Sequence, residues 1–472
     1  MGSGQVTDWQ GKNVTVAGLG VSGVPAAKVL HGLGAQVTVV NDGDDERARA
    51  QAAELRALGV TVRLGDGDTL PEGAELVVTA PGWKPDKPLF AAAHEAGVEI
   101  WGDVELAWRL RGPDAAPWLC VTGTNGKTTT TQMLASILKA AGLRTAAVGN
   151  IGVSLLDAVL GEEKYDVLAV ELSSYQLHWA PSLRAHSAAV LNLAPDHLDW
   201  HGSMEAYARD KGRIYEGNRV ACVYNVADKA TEDLVREADV EEGCRAIGFA
   251  LGTPGPSQLG VVDGILVDRA FVENRQKNAQ ELAEVSDVDP PAPHNIANAL
   301  AAAALARAFG VPAGAVRDGL RAFTPDAHRI AHVADVAGVA YVDDSKATNT
   351  HAAQASLASY PSIVWIAGGL AKGATFDELV AGAAERLRGV VLIGADRALI
   401  REALTRHAPE VPVVDLDRTD TGAMLQAVQE AQRLAQPGDT VLLAPACASM
   451  DMFTNYNKRG DAFAEAVREL GS

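Results

Sequence analysis

The sequence predicts a three-domain α/β protein with mostly parallel sheets, and three observations carry that expectation. Short β-rich runs alternate with amphipathic helical stretches along nearly the whole chain, the pattern of βαβ units. Two breaker-rich punctuations interrupt it, Gly112-Pro113-Asp114-Ala115-Ala116-Pro117 and Thr324-Pro325-Asp326. A chain of 472 residues is also too long for one ordinary core. The expected domains are 1–116, 117–325 and 326–472.

The first domain is read from strands Val14–Ala17, Gln36–Val40, Glu75–Val78 and Val98–Trp101, separated by helices such as Val24–Leu33 and Glu46–Leu58. The second continues through Trp118–Thr122, Thr145–Val148, Val167–Val170 and Ala188–Leu193. It then crosses a loop-rich stretch near Leu251–Gly260 and closes on the helix Asn295–Phe309. The third contributes Val339–Val342, Ser362–Ala367, Val390–Ile393 and Thr440–Leu443. No repeat of a solenoid period is present.

Composition narrows the function classes. Hydrophobic residues at 47% and charged residues at 21% describe an ordinary globular chain. No apolar run approaches the roughly 18 residues of a membrane span. Met1–Lys12 is polar and does not read as a signal peptide. A net charge of −19 argues against bulk nucleic-acid binding. Cys120, Cys222, Cys244 and Cys447 are scattered without a C-x-x-C pair, which fits a reducing compartment and a cytoplasmic location.

The strongest motif is Thr122-Gly123-Thr124-Asn125-Gly126-Lys127-Thr128-Thr129-Thr130, between an apolar strand and a helix. Such a turn aims backbone N–H groups and a helix N-terminus at phosphate oxygens. Lys127 is expected at the β/γ-phosphates of ATP and the Thr128 hydroxyl at Mg²⁺. Val121 stands where the general P-loop has its first glycine.

Gly18-Leu19-Gly20-Val21-Ser22-Gly23 is a second phosphate-type turn, with G-x-G-x-x-G spacing. NAD, FAD and a UDP-sugar all satisfy its physics, a pyrophosphate at a helix N-terminus. The central ATP-type loop favours the UDP-sugar. Glu171 and His197 close strands whose carboxyl ends line a crevice, and together they suit Mg²⁺ or Mn²⁺ shared with phosphates. In the third domain, Asp343-Asp344-Ser345-Lys346-Ala347-Thr348-Asn349, Lys372 and Ala446-Cys447-Ala448-Ser449 fall at strand ends. There a cation with hydroxyls suits a dicarboxylate.

These motifs, in this order, resemble the Mur ligases. T-G-T-N-G-K-T-T without the first glycine is similar to their nucleotide loop and to that of folylpolyglutamate synthases. E-L-S-S-Y-Q at Glu171, D-H at His197 and the downstream Lys211 also recur together in Mur ligases. The resemblance implies a Rossmann-like first domain, a P-loop-type central ATPase domain and a Rossmann-like third domain. It implies that ATP phosphorylates a carboxylate, which an amine then attacks.

By the same resemblance, Gly18, Leu19, Gly20, Ser22, Gly23, Asp42, Gly82 and Asn150 hold the UDP moiety, and Lys211 is a carbamylated metal ligand. Asn150 is counted among the catalytic residues beside Lys127, Glu171, His197 and Lys211. Asn295 and Asn298 sit beside adenine and ribose, though Asn295 also suits a helix cap. Arg329 and Asp344 reach the nucleotide on domain closure.

D-S-K-A-T-N resembles the D-glutamate-adding branch rather than those adding L-alanine, a diamino acid or a dipeptide. It implies UDP-N-acetylmuramoyl-L-alanine and D-glutamate as substrates. Lys346, Thr348, Lys372, Ser449 and Tyr456 form the amino-acid pocket, Tyr456 standing where the family commonly has Phe. A monomer is expected. A folylpolyglutamate synthase or, from the first domain alone, an NAD-dependent oxidoreductase are the alternatives.

Overall fold

The computed structural model describes residues 8–325, 327–418 and 420–470. Most of the polar start of the chain, and Asp326 of the second punctuation, lie outside them. The chain forms two compact units. One runs to Val288 and takes up Ile296–Phe323, and the other comprises Asp289–Asn295 and the chain from Thr324 onward.

The first unit holds two sheets. The smaller is all parallel, in the order Thr61–Leu64, Gln36–Asn41, Asn13–Ala17, Leu76–Thr79, Glu99–Gly102. Leu76–Thr79 is buried throughout, as its unbroken apolar run requires of a strand covered on both faces. The strand order reverses between Asn13–Ala17 and Leu76–Thr79, and the carboxyl ends at such a reversal are where sheets of this kind bind ligands.

The larger sheet is parallel from Ala147–Gly149 through Leu168–Glu171, Trp118–Thr122, Ser187–Val190, Ala221–Asn225 and Arg245–Phe249 to Gln258–Val262. The expected loop-rich stretch near Leu251–Gly260 instead leads into an antiparallel edge, Gln258–Val262, Ile265–Asp268 and Gln280–Glu284. Its hairpin turns on Asp263 and Gly264, both at positive φ. Asp-Gly between two apolar runs is a strong local hairpin signal. The expected strand Ala188–Leu193 ends at Val190, because Asn192 leaves the sheet to bind the neighbouring loop.

In the second unit the sheet order is Ala331–Val336, Val339–Asp343, Thr440–Leu443, Ile363–Gly368, Leu387–Ile393, Val413–Asp415. Only the first pairing is antiparallel. Trp365, fully buried, donates its indole N–H to Ala444 O at 2.7 Å and ties the central strand to the loop after Thr440–Leu443. Among the described residues no helix is long and apolar enough to cross a membrane.

Candidate active site

The loop after Trp118–Thr122 is built around two glycines at positive φ, Gly123 at +154° and Gly126 at +81°. A Cβ on Gly126 would run into Asn298 Oδ1, so a larger residue would strain the left-handed backbone of this turn and push aside the Asn298 side chain of the helix Pro293–Ala308. Asn192 clamps the loop from the next strand end. Its Oδ1 accepts from Asn125 N at 2.9 Å and its Nδ2 donates to Asn125 O at 3.1 Å. Thr124 is anchored by Ala194 and by the Tyr207 hydroxyl at 3.0 Å. Lys127 opens the helix Lys127–Ala140 and donates to the carbonyls of Gly123 and Thr124, each at 2.9 Å. Thr128, Thr129 and Thr130 form its buried first turn.

Of the expected metal and catalytic residues, Glu171, Asn150 and Lys211 gather near this loop, while His197 lies against Asp196 and Tyr175. Glu171 ends Leu168–Glu171 and is 1% exposed. Its Oε1 accepts from Asn150 Nδ2 at 2.8 Å, while its Oε2 is buried without a hydrogen-bond partner. Lys211 is buried on the helix Met204–Gly212 and donates to Gly123 O at 2.9 Å. Burial, and then the nearby Lys127 ammonium, hold the Lys211 amine well below the usual lysine range. Asp196 and Glu171 act on it in the opposite direction.

His197 adopts φ +55° before the short helix Leu198–His201, with its ring 4.9 Å from that of Tyr175. Among the described residues no three His, Cys, Asp or Glu side chains gather as a metal cluster. An ion here would draw the rest of its shell from phosphate and water, as Mg²⁺ ordinarily does.

The glycine turn of the smaller sheet is held by backbone geometry and side-chain hydrogen bonds. Gly18 has φ +103°, and a Cβ on Gly23 would overlap Gly18 O, whereas one on Gly20 would meet open space. Leu19 N donates to Asn41 Oδ1 at 2.9 Å. Ser22 does not cap its helix but donates to Asp103 Oδ2 at 3.0 Å, and Gln176 reaches the same oxygen at 3.4 Å. Burial holds the Asp103 carboxyl above the usual range. Asp103 thus links the Gly18–Gly23 turn to the segment after Glu171. Asp42 pairs with Lys87 at 2.9 Å, and Gly82 O accepts from Trp200 Nε1 at 3.3 Å.

Asn295 and Asn298 lie about one turn apart on Pro293–Ala308, and the Asn295 side chain donates back to Pro290 O at 3.3 Å. Burial pushes the adjacent His294 down to about 4, so its imidazole is neutral.

In the second unit three strand-end loops are laced together by backbone. Ala446 N donates to Ala347 O at 2.9 Å, and Leu370 and Ala448 exchange two bonds of 2.9 Å. Thr348, Lys372 and Ser449 are therefore carried on one scaffold. Lys372 sits at φ +50° and is exposed, while Ser449 is buried. The Lys346 ammonium lies 4.0 Å from the Tyr456 ring centroid, a cation–π contact. Arg329 acts electrostatically on Asp344. Burial pushes the Asp344 carboxyl up to about 6, against a hydrogen bond from Ser356 and the Arg329 charge.

Three family models match the chain: Mur ligase MurD-like N-terminal domain at 12–102, Mur ligase middle domain at 121–306, and Mur ligase glutamate ligase domain at 328–447. A relative from Streptomyces coelicolor, named UDP-N-acetylmuramoylalanine--D-glutamate ligase, is 89% identical across 99% of this chain and 100% of its own. The chain belongs to the Mur ligase family.

A Thermobifida fusca Mur ligase of the same name is 60% identical over 98% of this chain and 99% of its own. The crystal structure of UDP-N-acetylmuramate-alanine ligase from Thermotoga maritima shares the fold, with TM-score 0.57 at 18% identity, covering 97% and 99% of the two chains. E. coli FolC in complex with DHPP and ADP shares it at TM-score 0.54 and 18% identity, over 78% of this chain and 92% of its own. As a Mur ligase, the chain places Lys127, Glu171, Asn150 and Lys211 together, and separately the loops of Thr348, Lys372 and Ser449 with Tyr456.

Sequence reasoning missed Asn192, Asn41, Asp103 and Arg459. Asn192 and Asn41 carried a readable signal, an asparagine at the carboxyl end of an apolar strand. Asp103 and Arg459 carried none, since each acts through residues distant in sequence.

Proposed function

We infer that the chain is a cytoplasmic, monomeric ATP-dependent ligase of peptidoglycan synthesis. It joins the amine of D-glutamate to the L-alanyl carboxylate of UDP-N-acetylmuramoyl-L-alanine. The carrying observation is the company Lys127 keeps: a glycine turn, a buried Glu171 with one unpartnered oxygen, and a second buried lysine, Lys211. The relatives' names supply the substrates. We read the three sheets as domains 1–116, 117–325 and 326–472.

The Gly18–Gly23 turn, Asp42, Gly82 and Asn150 receive the UDP-sugar, and the Gly123–Thr130 loop with Asn295 and Asn298 receives ATP. The alanyl carboxylate attacks the γ-phosphorus, and ADP leaves. Lys127 stabilises charge on the transferring group. Held by Thr348, Lys372 and Ser449, with Lys346 and Tyr456 beside them, D-glutamate attacks the acyl carbon as the free amine. Phosphate departs with the electron pair of the broken C–O bond, and the amine's proton is lost. Arg329 and Asp344 complete the nucleotide site.

Thr128, Glu171, His197 and Lys211 would hold Mg²⁺ or Mn²⁺, and the unpartnered Glu171 oxygen fits a cation. When bound, the ion supplies charge neutralisation at the phosphates. For Lys211 to serve as an anionic ligand, its neutral amine adds to carbon dioxide and releases a proton, which its depressed affinity for protons favours.

Release of ADP is measured with a panel of UDP-muramoyl precursors and amino acids. Release that requires both UDP-N-acetylmuramoyl-L-alanine and D-glutamate is expected. Equal release with L-alanine or a diamino acid would overturn the assignment.

A further inference from the structure

Arg459 lies one turn into the helix Tyr456–Leu470 and is 1% exposed. Its guanidinium spends its hydrogen bonds on two of the laced loops. Nε donates to Ser345 Oγ at 3.0 Å, Nη2 to Ser345 O at 2.9 Å, and Nη1 to Cys447 O at 3.1 Å. Ser345 Oγ in turn donates to Tyr456 O at 2.7 Å, closing a ring of contacts through the start of the same helix.

All three hydrogen-bond acceptors are uncharged, and the Asp451 and Asp343 carboxylates act on the buried cation only electrostatically, which offsets part of the cost of burying it. Burial accordingly lowers the guanidinium's pKa to about 10, and it stays charged near neutrality. A planar fork of donors can span two loops at fixed spacing, which a single ammonium cannot.

We propose that Arg459 is a positioning residue for the amino-acid pocket, setting the distance between the Ser345 loop and the Cys447 loop. The inference rests on the pocket assignment made above. Thr348 lies three residues beyond Ser345, Ser449 two beyond Cys447, and Tyr456 three before Arg459 on its helix. Three expected D-glutamate contacts are thereby referred to one buried side chain. A displacement of about 1 Å in such a frame costs up to about a hundredfold in turnover of a correctly oriented pair.

A purely structural rivet would lower stability without singling out one substrate. Full-length Arg459→Lys and Ser345→Ala proteins are compared with wild type by KM for D-glutamate, KM for the UDP precursor, KM for ATP, and Tm. Arg459→Lys is expected to raise the D-glutamate KM by about tenfold or more, and Ser345→Ala by about threefold, with the other two KM values within about twofold. An unmoved D-glutamate KM, or an equal rise in all three, overturns the proposal. Should Arg459→Lys fail to fold, Ser345→Ala decides by the same criterion, since it leaves the fork's carbonyl contacts in place. The wild-type control separates the two claims. Absence of D-glutamate-dependent ADP release removes the pocket reading and this inference together. D-glutamate-dependent release with an unmoved KM in the variants removes only the inference.

Discussion

The Gly18–Gly23 and Gly123–Lys127 turns follow interior strands of parallel sheets, lead into helix N-termini, and depend on glycine at positive φ. They differ in what surrounds the backbone. The first is braced by an asparagine and a serine–carboxyl contact, and its own six residues include no lysine or arginine. The second carries Lys127, with the Lys211 amine against Gly123 O and the unpartnered Glu171 oxygen close by. A diphosphate that is only held can be satisfied by N–H groups and a helix dipole. A phosphoryl group that moves develops charge that fixed cations must meet. On the proposed reading, like geometry serves binding in one place and chemistry in the other.

The largest effect should fall on the charged turn. Lys127→Ala should reduce ADP formation by at least about a hundredfold while leaving Tm nearly unchanged, because the ammonium is not a core group. Near-normal turnover by the folded variant would erase the distinction between the turns. Lys211→Ala should be almost as damaging but partly restored by acetate, which supplies a carboxylate where the carbamate would lie. Full activity without acetate would make this lysine a bystander.

The uncharged turn sharpens the comparison through its two kinds of glycine. Gly20→Val has open space to enter, so the protein should fold and lose its thermal shift with the UDP precursor. Gly23→Ala should instead lower Tm, because its Cβ would overlap Gly18 O. If Gly20→Val kept full UDP binding, the pyrophosphate would not lie over that position.

Much of this contrast was legible in the sequence. Both turns and Glu171 were readable because each sits at the end of a continuous apolar strand, whereas Lys211, on the helix Met204–Gly212, was grouped with them only through the resemblance to Mur ligases. The hairpin at Asp263-Gly264 was announced by its dipeptide and passed over in favour of parallel alternation. The braces were not legible. Asp103 meets Ser22 across 81 residues and Arg459 meets Ser345 across 114, and such separations are set by packing.

The smallest effect concerns Asp344. Its folded-state pKa of about 6 lies above the unfolded value near 4. The native state therefore binds the extra proton, and stability falls as pH rises from about 4 to about 6. Asp344→Asn should remove that decline and match or exceed wild-type Tm at pH 7, while raising the KM for ATP. A wild-type Tm that instead climbed through this window relative to Asp344→Asn would show that the carboxyl is stabilised by its charge.

The central claim is that phosphate is first bonded to the alanyl carboxylate and then displaced by an amine. Preparing UDP-N-acetylmuramoyl-L-alanine with ¹⁸O in that carboxylate and analysing the phosphate released with ATP and D-glutamate tests it directly. One labelled oxygen should appear in each phosphate formed. Unlabelled phosphate accompanying stoichiometric amide product would contradict the account, because the carboxylate oxygen would never have been bonded to phosphorus.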